Sequence, residues 1–287
     1  MKKTAMLRRL LAADGLITAP GATTALFAHL VELAGFDVVY ATGAGVANMH
    51  LGVPDIGIVT MSESLEVMKR INDATRLPVI ADIDNGFGNA VMVCRTVREY
   101  TACGIAGLQL EDQQLPKRCG HFDGKAVISK EEMVNKIKAA KDAMLDPATV
   151  LIARTDAIAV NGFDDAIDRA GAYLEAGADM LFVEAPTSAE MMRKIPAAIQ
   201  APHVANIVEG GKTPTIPNKD LEDMGFKLAL YANAPLKAAV KGVRELLACL
   251  RREGTTANAE QLMITMRERN EITRFDMYKN LETRYRA

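Results

Sequence analysis

Short apolar runs alternate with amphipathic stretches along most of the chain. Each run is continuously apolar and ends in polar residues, whereas the stretches between the runs repeat apolar residues every three or four positions. Continuous apolar runs are typical of parallel strands that are covered by helices. They predict eight strands, over residues 17–20, 37–40, 77–82, 106–111, 150–154, 180–184, 203–206 and 227–231.

An amphipathic segment that predicts a helix follows each of these strands. The predicted helices span residues 23–34, 62–75, 90–103, 130–144, 164–176, 188–199, 218–224 and 236–252. Eight β–α units in about 250 residues predict an α/β fold, a closed (β/α)8 barrel of the TIM type, and the alternative is an open doubly wound sheet. We expect one domain, 1–287, in which the barrel spans about 15–252 and the opening stretch forms a first helix on its rim.

A charged and mostly helical tail, at about 256–285, follows the last barrel helix. Its apolar positions need a surface that covers them. The tail can pack on its own barrel, or it can dock on or exchange with a neighbouring subunit, and the residues alone leave both open. These apolar positions are Leu262, Met263, Met266, Ile272, Phe275, Met277, Tyr278 and Leu281.

Composition limits the partners of the chain. The residues are 49% hydrophobic and only 5% aromatic, a profile typical of helices packed on aliphatic strands. The formal net charge of −2 offers no basic surface to nucleic acid or membrane lipid, and no apolar run approaches the roughly 20 residues that span a bilayer. Four cysteines without a CxxC pair, and a start without signal-peptide features, favour a reduced, cytoplasmic protein.

Acidic residues stand at the predicted ends of three successive strands. Asp82 and Asp84 are two positions apart on the third strand, so we expect their side chains to share a face. Asp55 follows the second strand, and Glu111 ends the fourth. Carboxylates that share a site repel one another unless a cation compensates, and Mg²⁺ prefers oxygen ligands. We therefore predict a Mg²⁺ site, with Mn²⁺ as a substitute, although each acid taken singly is explained as a solvated strand-end residue.

Two further features could bind an anionic substrate. The Gly-Ala-Gly turn, 43–45, after Tyr40 offers backbone N–H groups to a carboxylate or an oxyanion, although most glycine-rich turns are only turns. Arg154 at the end of the fifth strand could clamp a carboxylate through two hydrogen bonds. The alternative for Arg154 is a structural ion pair with Asp156 or Glu184.

A long polar insertion, 113–127, separates the fourth strand from its helix. Long loops in compact domains are often lids over active sites. Cys119 lies in this insertion beside Lys117, Arg118 and His121, and nearby positive charge lowers the pKa of a thiol and makes it a usable acid or nucleophile. The alternative, a buried apolar cysteine, fits this charged setting poorly.

Together these motifs resemble those of the isocitrate lyase/phosphoenolpyruvate mutase superfamily. The resemblance covers nearly the whole chain, and the PKRCGH loop combined with the paired aspartates is highly specific. The matching segments are LGVPDIG (51–57), ADIDNGFGN (81–89), LEDQ (110–113), PKRCGH (116–121), ARTDA (153–157) and ANIVEGGKTP (205–214).

The resemblance implies a role for each candidate residue. Asp84 would bind Mg²⁺ directly, while Asp55, Asp82 and Glu111 would act largely through bound water. Cys119, on a mobile lid, would be the proton donor. The residues implied to support it are Lys117, Arg118, His121 and Glu184. Substrate binding is implied for Tyr40, Thr42, Gly43, Ala44, Gly120, Arg154, Glu184 and Asn206.

The implied chemistry is a retro-aldol cleavage of a small 2-hydroxy acid. Mg²⁺ would favour the alkoxide of the 2-hydroxyl, which collapses to a 2-oxo acid and expels C3 as the enolate of an adjoining carboxylate. Cys119 would then protonate this carbanion. The base is left open between Tyr40 and a metal-linked carboxylate. The resemblance also implies a homotetramer with exchanged C-terminal helices.

Three positions bear on the substrate. The methylisocitrate-cleaving branch of the family usually carries Thr where this chain has Val208 and His where it has Gln109. A lost hydrogen bond to a charged acceptor costs about 1.5–3 kcal/mol, which disfavours a tricarboxylate. The segment 209–214 resembles the dimethylmalate lyase and petal death branch, and Ala232 stands where its oxaloacetate hydrolases carry Ser.

The sequence therefore favours a lyase for a 2-substituted malate. The leading substrate is 2,3-dimethylmalate, which would give propionate and pyruvate. The alternatives are cleavage of methylisocitrate to succinate and pyruvate, and formation of a phosphorus–carbon bond in the manner of carboxyphosphonoenolpyruvate phosphonomutase.

Overall fold

Eight parallel strands form a barrel in the computed structural model, which describes residues 1–120 and 124–286. The strands are β1 (Ile17–Ala22), β2 (Val39–Ala41), β3 (Val79–Asp82), β4 (Gly107–Glu111), β5 (Val150–Thr155), β6 (Met180–Val183), β7 (Val204–Asn206) and β8 (Leu228–Tyr231). Strands β1 to β6 pair in sequence order, β8 lies between β1 and β7, and a bridge between Leu181 and His203 joins β6 to the start of β7. The predicted closed barrel is confirmed, and the open sheet is wrong.

Helices surround the barrel close to their predicted positions. In the described residues they are α1 (Lys3–Ala12), α2 (Ala25–Leu33), α3 (Gly43–Val46), α4 (Met61–Ala74), α5 (Ala90–Ala102), α6 (Lys130–Ala143), α7 (Ile158–Asn161), α8 (Phe163–Glu175), α9 (Ala189–Ala198), α10 (Asn218–Asp223), α11 (Ala234–Glu253), α12 (Met266–Ile272) and α13 (Phe275–Arg284). None of these helices is both long and apolar enough to cross a membrane.

The glycine-rich segment after β2 is helical, so the expectation of a turn is wrong. Thr42 is the N-cap residue of α3, and its side chain accepts a hydrogen bond from Gly45 N at 3.2 Å. This cap leaves the first N–H of the helix free to meet a side chain, and Gly43 N lies 3.3 Å from Asp82 Oδ2. A π-helical turn, Ala47–Leu51, follows α3 directly.

The amino-terminal end of the barrel is closed by α1, as expected of a helix on the rim. Leu7 is fully buried in the apolar cluster inside the barrel, and Arg8 donates hydrogen bonds to Ala148 O and Thr149 O, just before β5. At the opposite end, a Cβ on Gly21 would lie 1.8 Å from Ala232 O, so glycine allows β1 to approach the end of β8. The carboxyl end of the barrel is therefore the end left to polar side chains.

The C-terminal tail follows the barrel as a 3-10 turn, Glu260–Leu262, and the helices α12 and α13. It touches its own barrel, where Arg274 forms an ion pair with Glu32 of α2 at 3.1 Å. No residue of α12 or α13 is buried, however, and Phe275 is 51% exposed. The apolar surface of the tail is therefore not covered within the single chain.

Candidate active site

The predicted site residues meet in one pocket at the carboxyl ends of the strands. Asp84 and Gly43 adjoin this pocket through their contacts with Lys117 and Asp82, while His121 lies outside the described residues. The strand ends, α3 and the insertion after β4 all contribute to the wall. The pocket is lined by Tyr40, Thr42, Ala44, Asp55, Asp82, Glu111, Lys117, Arg118, Cys119, Gly120, Arg154, Glu184, Asn206, Val208, Leu230, Ala232 and Asn233.

Asp82 and Asp84 come together through a turn rather than through strand alternation. Strand β3 ends at Asp82, and Asp84 lies beyond it in the left-handed region, with φ of 48°. Asp82 Oδ1 accepts a hydrogen bond from Asp84 N at 3.0 Å and so holds the turn. The two residues do lie together, as expected, but the expectation that they share a strand face is wrong. Strained backbone of this kind is common at functional sites.

Lys117 supplies the positive charge closest to the acids. Its ammonium lies 2.5 Å from Asp55 Oδ1 and 2.7 Å from Asp84 Oδ1, and its side chain is only 4% exposed. Burial alone would lower the pKa of Lys117, but the surrounding carboxylates raise that pKa well above its ordinary value. Lys117 therefore acts as a fixed counter-ion to the acid cluster.

The acids remain short of positive charge despite Lys117. Burial raises the pKa of Asp84 to about 6, against the opposing effect of Lys117, and nearby Asp82 and Asp55 raise it further. Burial likewise raises the pKa of Glu111 well above its ordinary value. Such shifts show that the charged forms are poorly compensated in the protein alone.

The donor atoms suit a hard divalent cation. Within the described residues, Glu111 Oε1 is buried without a hydrogen-bond partner, and Asp84 Oδ1 is buried with only the Lys117 ammonium beside it. All four predicted ligands offer carboxylate oxygen. Among the described residues, no three acidic, histidine or cysteine side chains converge tightly enough to enclose an ion by themselves. The residues therefore fit an ion such as Mg²⁺ that keeps several water or substrate oxygens.

Arg154 faces the pocket and also forms an ion pair. The two interpretations of this residue, a carboxylate clamp and a structural ion pair, are therefore compatible. Its Nε donates to Asp156 Oδ2 at 2.9 Å and its Nη2 to Asp156 Oδ1 at 3.1 Å. Glu111 Oε2 lies 3.4 Å from Nε, and the guanidinium carbon lies 5.0 Å from the ring centre of Phe182. The guanidinium is therefore held in a fixed position at the pocket wall.

The insertion folds over the strand ends and brings Cys119 to the pocket. Cys119 N donates a hydrogen bond to Asp55 O at 3.0 Å. The side chain of Gln113 braces the loop, because it donates to Arg118 O at 2.8 Å and accepts from Arg118 N at 2.9 Å. A main-chain hydrogen bond thus ties the insertion to Asp55, one of the predicted metal ligands.

Tyr40 is poorly suited to act as the base. Its hydroxyl donates to Gln109 Oε1 at 2.8 Å, and Gln109 Nε2 lies 3.4 Å from Asp82 Oδ1. Burial, reinforced by Asp82, raises the pKa of Tyr40 well above its ordinary value. Tyr40 is therefore a neutral phenol whose proton is held by Gln109.

The sequence did not predict two charged residues whose side chains are buried behind the pocket wall. Asp112 accepts hydrogen bonds from Thr155 Oγ1 at 2.7 Å, Tyr173 OH at 2.8 Å and Asp156 N at 3.0 Å, and so fixes the end of β5. Lys125 forms an ion pair with Asp156 at 2.8 Å. The only sequence signal was position, since Asp112 follows Glu111 in LEDQ and Lys125 belongs to the long insertion.

Comparison with known proteins gives consistent matches. The sequence profile of the phosphoenolpyruvate phosphomutase family matches residues 7–251. The chain is 44% identical over 285 residues to a 2,3-dimethylmalate lyase of Eubacterium barkeri, covering 99% of each chain. It is 45% identical over 253 residues to a 2-methylisocitrate lyase of Escherichia coli strain K12, covering 88% of this chain and 84% of the relative.

Solved structures agree with these sequence matches. A crystal structure of 2,3-dimethylmalate lyase, a member of the PEP mutase/isocitrate lyase superfamily, superposes with a TM-score of 0.94 at 34% identity, over 100% of this chain and 96% of the other. A phosphonopyruvate hydrolase in complex with oxalate and Mg²⁺ superposes with a TM-score of 0.89 at 33% identity, over 99% of each chain. The barrel, its insertion and its tail are thus shared along the whole length.

The raised pKa of Asp84 predicts a pH-dependent stability difference between the protein and the variant D84N. A carboxyl whose pKa is about 6 in the fold and 3.8 ordinarily binds its proton more tightly when folded. The cost of burying its charge is therefore present above pH 6 and is relieved as the pH falls. In EDTA, as the pH falls from 7.5 to 5, the free energy of unfolding measured in urea should rise by about 1–2 kcal/mol more for the protein than for D84N. Parallel pH profiles would contradict this explanation.

Proposed function

Because the chain belongs to the phosphoenolpyruvate mutase/isocitrate lyase family, we propose that it is a Mg²⁺-dependent carbon–carbon lyase for a 2-substituted malate. The leading substrate is 2,3-dimethylmalate, cleaved to propionate and pyruvate. One observation carries the proposal: Asp55, Asp82 and Glu111 of the acid cluster line a single pocket together with Arg154 and Cys119. The whole-length similarity to a 2,3-dimethylmalate lyase supports the choice of substrate.

The polar side of the pocket would orient the substrate. Arg154 is held by Asp156 and would receive the carboxylate at C4. Asp84, Asp82, Asp55 and Glu111 would hold the ion directly or through water. When bound, Mg²⁺ would supply a Lewis acid that lowers the pKa of the 2-hydroxyl. Since the proton of Tyr40 is donated to Gln109, an acid of the cluster is the better base.

The bond between C2 and C3 would then break with its electron pair going to C3. The C2 oxygen becomes the carbonyl of pyruvate, and C3 becomes the enolate carbon of propionate. Cys119 lies on the segment that covers the pocket and would give its thiol proton to C3. The proton taken from the hydroxyl replaces the thiol proton overall, so atoms and charge balance.

Apolar residues in the pocket lining favour methyl substituents. Val208, Leu230 and Ala232 line the same pocket as the polar groups. These side chains offer no hydrogen bond to a third carboxylate, whereas they can pack against methyl groups. Methylisocitrate remains the second candidate substrate, because the Escherichia coli relative named above is a 2-methylisocitrate lyase.

The covering segment must move for substrate to enter. The cavity between the lining side chains has a volume of only about 40 Å³, room for water but not for a branched dicarboxylic acid. Lys117, Arg118, Cys119 and Gly120 fill one side of it. We therefore regard residues 117–120 as a lid in its closed position.

A pyruvate-release assay tests the proposed reaction. Using 2,3-dimethylmalate, citramalate and methylisocitrate, we expect the fastest turnover with dimethylmalate, loss of activity in EDTA and recovery with Mg²⁺ or Mn²⁺. The variant C119S should lose about 100-fold or more in kcat, since a general acid contributes that much. The variant C94S is the matched control, because Cys94 lies on α5 away from the pocket. Full activity in EDTA would sink the metal mechanism.

We also propose a homotetramer that exchanges its C-terminal helices and resides in the cytoplasm. Exposed apolar residues on both the tail and α11 support the exchange, including Val243 at 54%, Leu247 at 57% and Tyr278 at 61%. A reduced compartment suits the chain because no disulfide joins its four cysteines.

Removal of the tail tests the assembly. Light scattering should give four copies for the full chain and a smaller assembly for a variant that ends at residue 255. Deletion of residues 285–287 alone is the control and should leave four copies. A full chain that is monomeric, or a truncated chain that stays tetrameric, would refute helix exchange.

A further inference from the structure

The side chain of Lys125 is buried, and the burial of its charge needs a physical explanation. Its side chain is 1% exposed, and it pairs with Asp156, which is fully buried, at 2.8 Å. A buried ammonium is costly unless charge and hydrogen bonds compensate for its lost hydration. The contacts of Lys125 therefore decide whether the closed arrangement of the insertion is stable.

One ammonium joins two separate elements. Besides Asp156 at the end of β5, Lys125 Nζ donates a hydrogen bond to Gly120 O at 2.5 Å. Gly120 directly follows Cys119 in the lid. The lid is thus tied at two points, by Cys119 N to Asp55 O and by Gly120 O to Lys125.

Arg154 shares the same carboxylate. Asp156 Oδ1 accepts from both Lys125 Nζ and Arg154 Nη2, and Asp156 Oδ2 accepts from Arg154 Nε. One buried carboxylate therefore contacts both the lysine that holds Gly120 and the guanidinium of the pocket.

Gly120 packs directly on the side chains of the pocket. A Cβ on Gly120 would lie 2.4 Å from Arg154 Nη2 and 2.5 Å from Glu184 Oε1. The lid backbone itself is therefore part of the wall behind Arg154. A small displacement of Gly120 would change both this wall and the place of the neighbouring thiol.

We propose that Lys125 is a positioning residue that latches the closed lid to the Asp156–Arg154 pair and so places Cys119 over the substrate. The catalytic part of this statement rests on the proposed function, whereas the latch itself does not. Arg154 continues to compensate Asp156 when Lys125 is replaced, so removal of the ammonium should leave the fold intact.

The test compares K125M with the matched control K130M. Lys130 is a nearby lysine whose ion pair with Asp168 is largely exposed, with side chains 35% and 62% exposed. Iodoacetamide labelling of each cysteine, followed by peptide mass spectrometry, reports lid opening at Cys119 without any need for turnover. Cys94 and Cys103 on or beside α5 report general loosening.

Loss of the two charge-assisted hydrogen bonds should raise the labelling rate of Cys119 about tenfold or more in K125M. Labelling of Cys94 and Cys103, and all three rates in K130M, should stay unchanged. K125Q can still donate to one acceptor and should fall between the protein and K125M. If K125M does not fold, K125Q against K130Q carries the same comparison.

Turnover of 2,3-dimethylmalate gives a second readout. In K125M, kcat should fall about tenfold while the Mg²⁺ concentration for half-maximal activity stays the same, because Lys125 touches none of the acids of the cluster. Unchanged Cys119 labelling, or equally faster labelling of all three cysteines, would overturn the latch. If the unsubstituted protein does not turn over 2,3-dimethylmalate, the proposed substrate is wrong. The labelling of Cys119 then still shows whether Lys125 latches the lid.

Discussion

Buried negative charge at the ends of β3 and β4 is the constraint on which the rest of the site depends. Asp82, Asp84 and Glu111 are each less than a tenth exposed, and their mutual repulsion must be offset. Lys117 offsets part of it, and the raised pKa of Asp84, about 6, shows that a part remains. A bound cation would therefore offset the remaining repulsion between the carboxylates. The same interaction would stabilise the fold and hold the ion in the site.

The insertion after β4 forms ion pairs with two separate groups of charged residues at the carboxyl end of the barrel. Lys117 reaches the acid-rich half at Asp55 and Asp84, whereas Lys125 reaches the half built by Asp156 and Arg154. One segment thus brings two ammonium groups and the thiol of Cys119 to the carboxyl end of the barrel. Because each ammonium pairs with a buried carboxylate at the strand ends, the position of the insertion and the electrostatics of the pocket are linked.

Much of the barrel could be predicted from the sequence because its signals are local. Continuous apolar runs and the amphipathic segments between them located the eight β–α units, and strand ends then located the acids, Arg154 and the insertion. The departures arose where local rules give way to tertiary contacts. Thr42 caps a helix where a turn was expected, and Asp84 reaches its neighbours through a left-handed turn. The partners of Asp112 and Lys125 come from distant elements, so no periodicity pointed to them.

Binding of Mn²⁺, followed by electron paramagnetic resonance, shows whether the acid cluster holds a divalent ion. We expect one tightly bound Mn²⁺ per chain, displaced by Mg²⁺, lost in D84A and retained in D168A, whose acid is exposed at the surface. The metal site is wrong if the protein binds no Mn²⁺, or if D84A binds the ion as tightly as the unsubstituted chain.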